Sequence, residues 1–154
     1  MMHSNLRDVG YTVYSRYEDA LRRWLGERLN VICGDRWADQ ISSNIKSKII
    51  DKLSLVELPN LTQALDATDF PDLMDIICYR KFFRVFLPDV SFDAAAYRRD
   101  TGLIYQYRCK IAHVDPLFSK ADLTHLVALV EAHISFLGNH GHDLETRLVW
   151  GICG

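Results

Sequence analysis

The sequence YQYRCKIAH, residues 105–113, predicts the end of a long helix and its exit into a loop. In and before this stretch, five side chains follow one another at steps of three and four, which places them on one helical face. They are Tyr97, Thr101, Ile104, Arg108 and Ile111. Arg108 thus falls within an apolar stripe, where a guanidinium costs free energy unless it is paired or faces a cleft.

A histidine follows this arginine at the predicted helix end. His113 comes just before Asp115 and Pro116, and the proline predicts that the helix stops there. An arginine can bind a phosphate through two hydrogen bonds, and a histidine can transfer protons near neutral pH. Arg108 and His113 are therefore candidates for an RNA-cleaving pair.

Length and composition predict one ordinary globular domain. The 154 residues suit a single core, and the 49% hydrophobic and 25% charged residues exclude a disordered chain. The net charge of −2 excludes a general polyanion binder, so any nucleic-acid site must be a local cluster. Residues 80–110 contain such a cluster, with seven basic side chains against three acidic ones. The basic residues are Arg80, Lys81, Arg84, Arg98, Arg99, Arg108 and Lys110.

The cysteines and histidines do not predict a metal site or a cofactor. Four cysteines lie far apart in the sequence, which favours a reduced cytoplasmic protein over a disulfide framework. They are Cys33, Cys78, Cys109 and Cys153. The two histidines of the loop 140–143 are too few for a preorganised metal site. We expect no signal peptide and no membrane span, since no run approaches the roughly 20 apolar residues that a span needs.

Apolar spacing predicts the first helices. An amphipathic helix is expected over 10–29, with a stripe of Tyr14, Tyr17, Leu21, Leu25 and Leu29. A second helix is expected after Gly34, with a stripe of Trp37, Ile41, Ile45 and Ile49. Within the irregular segment 54–71, a short helix is expected to use Leu55, Leu58, Leu61 and Leu65.

A third long helix is predicted from Asp69, an N-cap followed by a proline, to Phe86. Its residues Arg80, Lys81 and Arg84 form a basic patch with two interpretations. The patch is either a solvated helix face or a track for an RNA backbone. Together with Lys110, its three residues are the candidate RNA-binding residues.

The last long helix is predicted to begin at a variant capping box of Ser119 and Asp122 and to end at Gly138. His125 and His133, eight residues apart on it, are expected at the surface or its boundary. No strand pattern is found, so we predict an all-α bundle of four to five main helices plus short helices. One domain is expected over 1–154, with a core at about 10–138 and a short helix and tail over 139–154.

Together these features resemble the HEPN superfamily, small all-α domains of RNA-processing, toxin and defence proteins. Its signature is an arginine followed after four to six residues by a histidine, at the end of a long helix. Arg108 and His113 enclose four residues here, and Ala112 before the histidine matches the usual ending. Residues 17–24, YEDALRRW, resemble the first helix of a branch found in a nuclear RNA-surveillance endonuclease and in bacterial relatives.

The resemblance implies metal-independent endoribonucleolytic cleavage by Arg108 and His113. In active members the domain dimerises so that two motifs face one RNA, which implies RNA and a second copy as partners, and an antitoxin or another protein in toxin systems. The chemistry of the reaction also favours a dimer. Attack by a 2′-hydroxyl needs one proton removed and another supplied, and a single histidine does not readily do both. The aromatic residues Tyr97, Tyr105 and Tyr107 are expected at the dimer face.

Cys109 departs from the pattern. Active members commonly have asparagine or another polar residue directly after the arginine, whereas a thiol is a weak hydrogen-bonding group. Many members without a full motif bind RNA or proteins and do not cleave. A non-catalytic RNA-binding or protein-interaction module therefore stays open as the alternative function. Thiol catalysis by Cys109 is disfavoured, since no acyl-transfer motif surrounds it.

Overall fold

The computed structural model describes residues 2–79, 94–113 and 118–136, and within these ranges the chain is helical and has no strand. The all-α fold class is therefore confirmed. The helices are α1 (Met2–Cys33), a 3-10 helix (Gly34–Gln40), α2 (Ser43–Leu53), α3 (Leu61–Asp66), α4 (Phe70–Ile77), α5 (Ala94–Ala112) and α6 (Lys120–Phe136). None of these described helices is long and apolar enough to cross a membrane.

The chain divides into two compact units. The first comprises Met1–Leu21 and Val90–Gly154, and the second comprises Arg22–Asp89. The first unit holds the N-terminal part of α1 together with α5 and α6, and the second holds the rest of α1, the 3-10 helix and α2 to α4. The prediction of one domain over 1–154 stays a prediction.

The first helix is longer than its apolar stripe predicts. It extends from Met2 to Cys33 where the spacing predicts 10–29, because no proline or glycine interrupts the residues before Gly10. It ends at the predicted point, where Gly34 adopts a left-handed φ of 53°. The five stripe residues are all buried, which confirms them as core: Tyr14, Tyr17, Leu21, Leu25 and Leu29.

The prediction of a second helix that includes Trp37 and Ile41 is wrong. Trp37 lies in the 3-10 helix, and Ile41 has extended backbone angles (φ −109°, ψ 133°). The reason is local, since the Ser42 hydroxyl accepts a hydrogen bond of 3.3 Å from the Ile45 amide and thereby starts a new helix. Ile45 and Ile49 lie in α2 and are buried, as their spacing predicts.

The short helix of the segment 54–71 begins later than its leucines predict. Asn60 caps α3 by accepting a hydrogen bond of 2.9 Å from the Gln63 amide. Leu61 and Leu65 therefore lie in α3, whereas Leu55 and Leu58 precede it.

The fourth helix starts as predicted and ends early. Asp69 and Asp72 form a reciprocal capping box, with hydrogen bonds of 2.9 and 3.3 Å to each other's backbone amides. The predicted continuation to Phe86 is wrong, because α4 ends at Ile77 and Cys78 is its C-cap. No glycine or proline marks this end in the sequence. Residues 80–93, including the basic patch, lie outside the described residues.

In the first unit, α5 and α6 pack against each other and carry the candidate site. The α5 stripe is buried at Tyr97, Thr101, Ile104 and Ile111. The α6 helix opens with the predicted capping box: Asp122 accepts from the Ser119 amide at 3.0 Å, and Ser119 Oγ accepts from the Asp122 amide at 3.1 Å. On α6, Leu126, Val130 and Ile134 are buried. The predicted end at Gly138 and the segment 139–154 lie outside the described residues.

Candidate functional site

Arg108 lies on the inward stripe of α5, half-buried between Ile104 and Ile111, which are fully buried. Its guanidinium carbon is 6.0 Å from the centroid of the Tyr105 ring, within the range of a cation–π interaction. Among the described residues, no carboxylate forms an ion pair with this guanidinium.

Tyr14 of α1 lies near enough to Arg108 for their electrostatic interaction to matter, although the sequence predicts only a core position for it. Its hydroxyl donates a hydrogen bond of 2.8 Å to the Glu18 carboxylate. Burial and the Glu18 charge raise the pKa of Tyr14 far above its ordinary value of 10.0, while the charge of Arg108 acts in the opposite direction. Tyr14 therefore stays protonated at neutral pH, and the charge of Arg108 lies close to it.

His113 is the first residue after α5, and its side chain is exposed. Its backbone amide still donates the helical hydrogen bond, to the Cys109 carbonyl at 2.9 Å. On a helix, the five positions from Arg108 to His113 correspond to about 140° of rotation and about 7.5 Å of rise. The side chains of Arg108 and His113 in one chain therefore leave the helix more than one turn apart and point in different directions.

Lys110 is the candidate RNA-binding residue that the structure describes, and it has an acidic partner. Its Nζ lies 3.5 Å from Asp122 Oδ2 on α6 and 6.0 Å from the centroid of the Tyr107 ring. The backbone amide of Ser119, and then Lys110, lower the pKa of Asp122, while burial acts to raise it. A phosphate at Lys110 would compete with this carboxylate. The other three candidates, Arg80, Lys81 and Arg84, lie outside the described residues.

Tyr107 and His125 form a contact that sequence analysis did not predict. The Tyr107 hydroxyl lies 2.6 Å from Nδ1 of His125, and the two rings meet edge to face at 87° with centroids 5.4 Å apart. Burial and the Asp122 charge raise the pKa of Tyr107, and Lys110 lowers it. His125 is exposed, as predicted, but its ring is held in place by the tyrosine.

The prediction that His133 lies at the surface or boundary is wrong. Its side chain is 3% exposed, its Nε2 lies 3.3 Å from the Tyr97 hydroxyl, and its ring packs edge-on against Tyr17. Burial lowers the pKa of His133 to about 3, so the imidazole is neutral. The cause is its position, seven residues after the buried Leu126 on the same face of α6.

Burial also corrects the expected dimer face. Tyr97 is 2% exposed and belongs to the core around His133, so it cannot contact a second copy. Tyr105 and Tyr107 are only partly buried and remain candidates for that face. Cys109 is a half-buried free thiol.

The second unit has a cleft of its own, of about 530 Å³, between the C-terminal part of α1 and α3. Arg22 lines it and is held by two backbone carbonyls, Leu65 O at 2.9 Å and Thr68 O at 3.1 Å. Arg23, Glu27 and Asp66 also line it, so the cleft carries both signs of charge.

Metal-binding geometry and similarity to other proteins give no further assignment. The described residues contain no group of three or more His, Cys, Asp or Glu side chains that could hold a metal ion, and the histidines of 140–143 lie outside them. No protein-family model, curated protein or solved structure matches this chain. The resemblance to the HEPN superfamily therefore stays a prediction from the sequence.

Proposed function

We propose that the protein is a HEPN-like, metal-independent endoribonuclease of the toxin, defence or RNA-processing type, acting in the cytoplasm. Its composite site uses Arg108 and His113 at a homodimer interface. The observation that carries the proposal is the state of these two side chains at the end of α5. Arg108 is half-buried without a carboxylate partner among the described residues, and His113 presents an exposed imidazole.

In the proposed reaction, His113 removes the proton of a ribose 2′-hydroxyl. The 2′-oxygen then forms a bond to the adjacent phosphorus and the bond from phosphorus to the 5′-oxygen breaks, which leaves a 2′,3′-cyclic phosphate and a 5′-hydroxyl. Arg108 stabilises the charge that builds up on the phosphorane through paired hydrogen bonds. The leaving 5′-oxygen also needs a proton, which a second acid must supply.

The proposed site needs two chains because the Arg108 and His113 side chains of one chain point in different directions. With about 140° between them on one helix, a phosphate held by Arg108 is out of line with His113 of the same chain. In an isologous dimer, each phosphate meets the arginine of one copy and the histidine of the other. The proposal therefore predicts a dimer by light scattering at micromolar concentration. A strict monomer under these conditions would contradict the composite site.

RNA binding is proposed to use the basic track Arg80, Lys81, Arg84 and Lys110. Reversing Arg80, Arg84 and Lys110 to glutamate should weaken RNA binding and flatten its dependence on salt, because fewer phosphate counterions are released. Reversing Arg23, Arg36 and Lys46 changes the net charge equally and is the control. Equal binding by the two triple variants would leave the track as a solvated surface.

The alternative is a non-catalytic RNA-binding or protein-interaction module, including one that binds an antitoxin. Cys109 is the observation that favours it, since a half-buried thiol replaces the polar group that active relatives carry. The substitution Cys109→Asn separates the two functions. It should raise cleavage if the thiol has weakened an intact site, whereas a module stays inert toward a broad set of RNAs in both forms.

The direct test is cleavage of RNA by the purified protein in EDTA. His113→Ala should lower the rate by about 10²–10⁴-fold, the usual contribution of general acid–base catalysis, and should leave the fold intact because the side chain is exposed. Thr124→Ala is a matched control, since this exposed hydroxyl donates a hydrogen bond to the Lys120 carbonyl of its own helix. Equal rates for wild type and His113→Ala would refute the assignment.

A further inference from the structure

We propose that single-stranded RNA lies along the exposed face of α5 that ends at His113. This exposed α5 face is defined by Arg99, Gly102, Gln106, Lys110 and His113. The inference rests on the proposed action on RNA and deepens it, because Arg99, Gly102 and Gln106 lie outside the basic track that the sequence predicts.

The five residues share one side of the helix. They follow one another at steps of three and four, so at about 100° per residue they lie within a sector of about 80°. The helical register extends to His113, because its backbone amide donates to the Cys109 carbonyl at 2.9 Å. Arg99 is therefore about 21 Å from His113 along the helix axis, and Gln106 about 10 Å. A strand that starts at His113 and follows this face meets Lys110, then Gln106 and finally Arg99.

Solvent reaches this face along its length. Gly102, Gln106 and His113 are exposed, and the side chains of Arg99 and Lys110 are 71% and 40% exposed. A Cβ added to Gly102 would meet nothing within 4 Å, so the middle of the face is open and the backbone itself is accessible there. The opposite side of α5 is the buried stripe, so RNA bound to the exposed α5 face leaves the core intact.

The charge of the face favours a phosphate backbone. Residues 101–113 include no acidic side chain. Arg99 pairs with Asp100 at 3.4 Å, but this pair is exposed to solvent, where ion pairs contribute little, so a phosphate can replace the carboxylate. A second cation lies at Lys110, where a phosphate competes with Asp122. The face therefore offers positive charge near each end to the phosphates of one strand.

Gln106 lies between the two cations and carries no charge. Its side chain is exposed, and its amide both donates and accepts hydrogen bonds. The unpaired bases and 2′-hydroxyls of single-stranded RNA offer both kinds of hydrogen-bonding group. Gln106 accordingly contacts a nucleotide beside the one that reaches His113.

A charge placed in the middle of the face tests the inference. Binding is measured by fluorescence anisotropy with a labelled single-stranded RNA of mixed sequence, in His113→Ala chains that leave the RNA intact. Gly102→Glu adds a carboxylate where a Cβ meets no neighbour, and it replaces a poor helix former by a better one. It should weaken binding by about tenfold or more at low salt, because the carboxylate repels the phosphates.

Thr12→Glu adds the same charge on α1 and is the control. Gly10 of α1 faces Ile111 and Phe118, whereas Thr12, two residues further on, is turned by about 200° and is exposed. The added carboxylate therefore points away from α5, and Thr12→Glu should bind RNA like the parent chain. Circular dichroism melts of both variants check that the fold is kept.

The salt dependence of binding separates the two kinds of contact. Arg99→Gln should lower the slope of log Kd against log salt concentration by about 0.7, the share of one phosphate contact on a single strand. Gln106→Ala should weaken binding and keep the slope, since it removes no charge. Arg36→Gln is the control and should keep both, because Arg36 is likewise an exposed arginine paired with an aspartate, Asp39 at 3.0 Å.

The outcomes separate this inference from the function on which it rests. Wild type that neither binds nor cleaves RNA overturns both. Wild type that cleaves RNA, with equal binding by the Gly102→Glu and Thr12→Glu chains, overturns the inference alone, and so does an equal salt slope for Arg99→Gln and Arg36→Gln. Binding that Gly102→Glu weakens, in a wild type that cleaves no RNA, supports the exposed α5 face and overturns the ribonuclease function.

Discussion

The buried His133 should make the stability of the protein fall in mildly acidic solution. The His133 side chain is 3% exposed and contacts Tyr97 and Tyr17. Burial lowers its pKa from 6.5 to about 3. Between these two values the unfolded chain binds a proton at this histidine and the folded chain does not. The unfolded state therefore gains stability as the pH falls through this window.

The size of the effect follows from the two pKa values. Each pH unit inside the window changes the free energy of unfolding by about 1.36 kcal/mol for one such group. From pH 7 to pH 4.5 the contribution of His133 amounts to about 2.5 kcal/mol, a large fraction of the stability of a small protein. Tyr17 adds nothing in this range, since burial raises its pKa well above 10.0.

His133→Gln is the matched variant, because an amide can still reach the Tyr97 hydroxyl but does not titrate. Urea unfolding is measured for both proteins at pH 7 and pH 4.5. Wild type should lose about 2.5 kcal/mol more than His133→Gln over this interval, while the carboxylates contribute equally to both. Equal losses would refute the assignment of a buried neutral histidine.

Two further predictions concern packing and capping in the first unit. Gly10→Ala should lower the free energy of unfolding by about 1 kcal/mol, because the new Cβ would lie 2.8 Å from the buried Phe118 ring and overpacking exceeds the gain in helix propensity. Gly102 is exposed on α5, and a Cβ added to it would have nothing within 4 Å, so Gly102→Ala should raise the free energy of unfolding by up to about 1 kcal/mol. Thermal melts in which both glycine variants shift the melting temperature in the same direction would contradict this pair of predictions. Ser119→Ala should cost about 1 kcal/mol through loss of the α6 cap, whereas Ser47→Ala, exposed within α2, should change stability by less than about 0.5 kcal/mol. Denaturant midpoints that do not separate these two serines would contradict the capping role.

Local signals made much of the fold predictable. The α1 stripe was found because a helical period of 3.6 sorts Tyr14 to Leu29 onto one face, and burial confirms it. The caps at Asp69 and Ser119 were found because each bond joins residues only three apart. The end of α4 at Ile77 was missed, since no glycine or proline announces it.

Contacts between helices were not predictable in the same way. Residue type alone predicts a surface position for His133, whereas its position seven residues after the buried Leu126 places it on the inward face of α6. The contact between Tyr107 and His125 depends on the antiparallel register of α5 and α6, which no local pattern gives. The position of Arg108 and His113 at the end of α5 agrees with the prediction, because it follows from helix spacing and the proline after it.

The composite site is tested most directly by mixing two inactive variants. In a mixture of Arg108→Ala and His113→Ala chains, half of the dimers are mixed, and one of their two sites combines an intact arginine from one copy with an intact histidine from the other. The mixture should therefore regain about a quarter of the wild-type rate of RNA cleavage in EDTA. A mixture no more active than either variant alone, beside active wild type, would contradict a site shared between two chains.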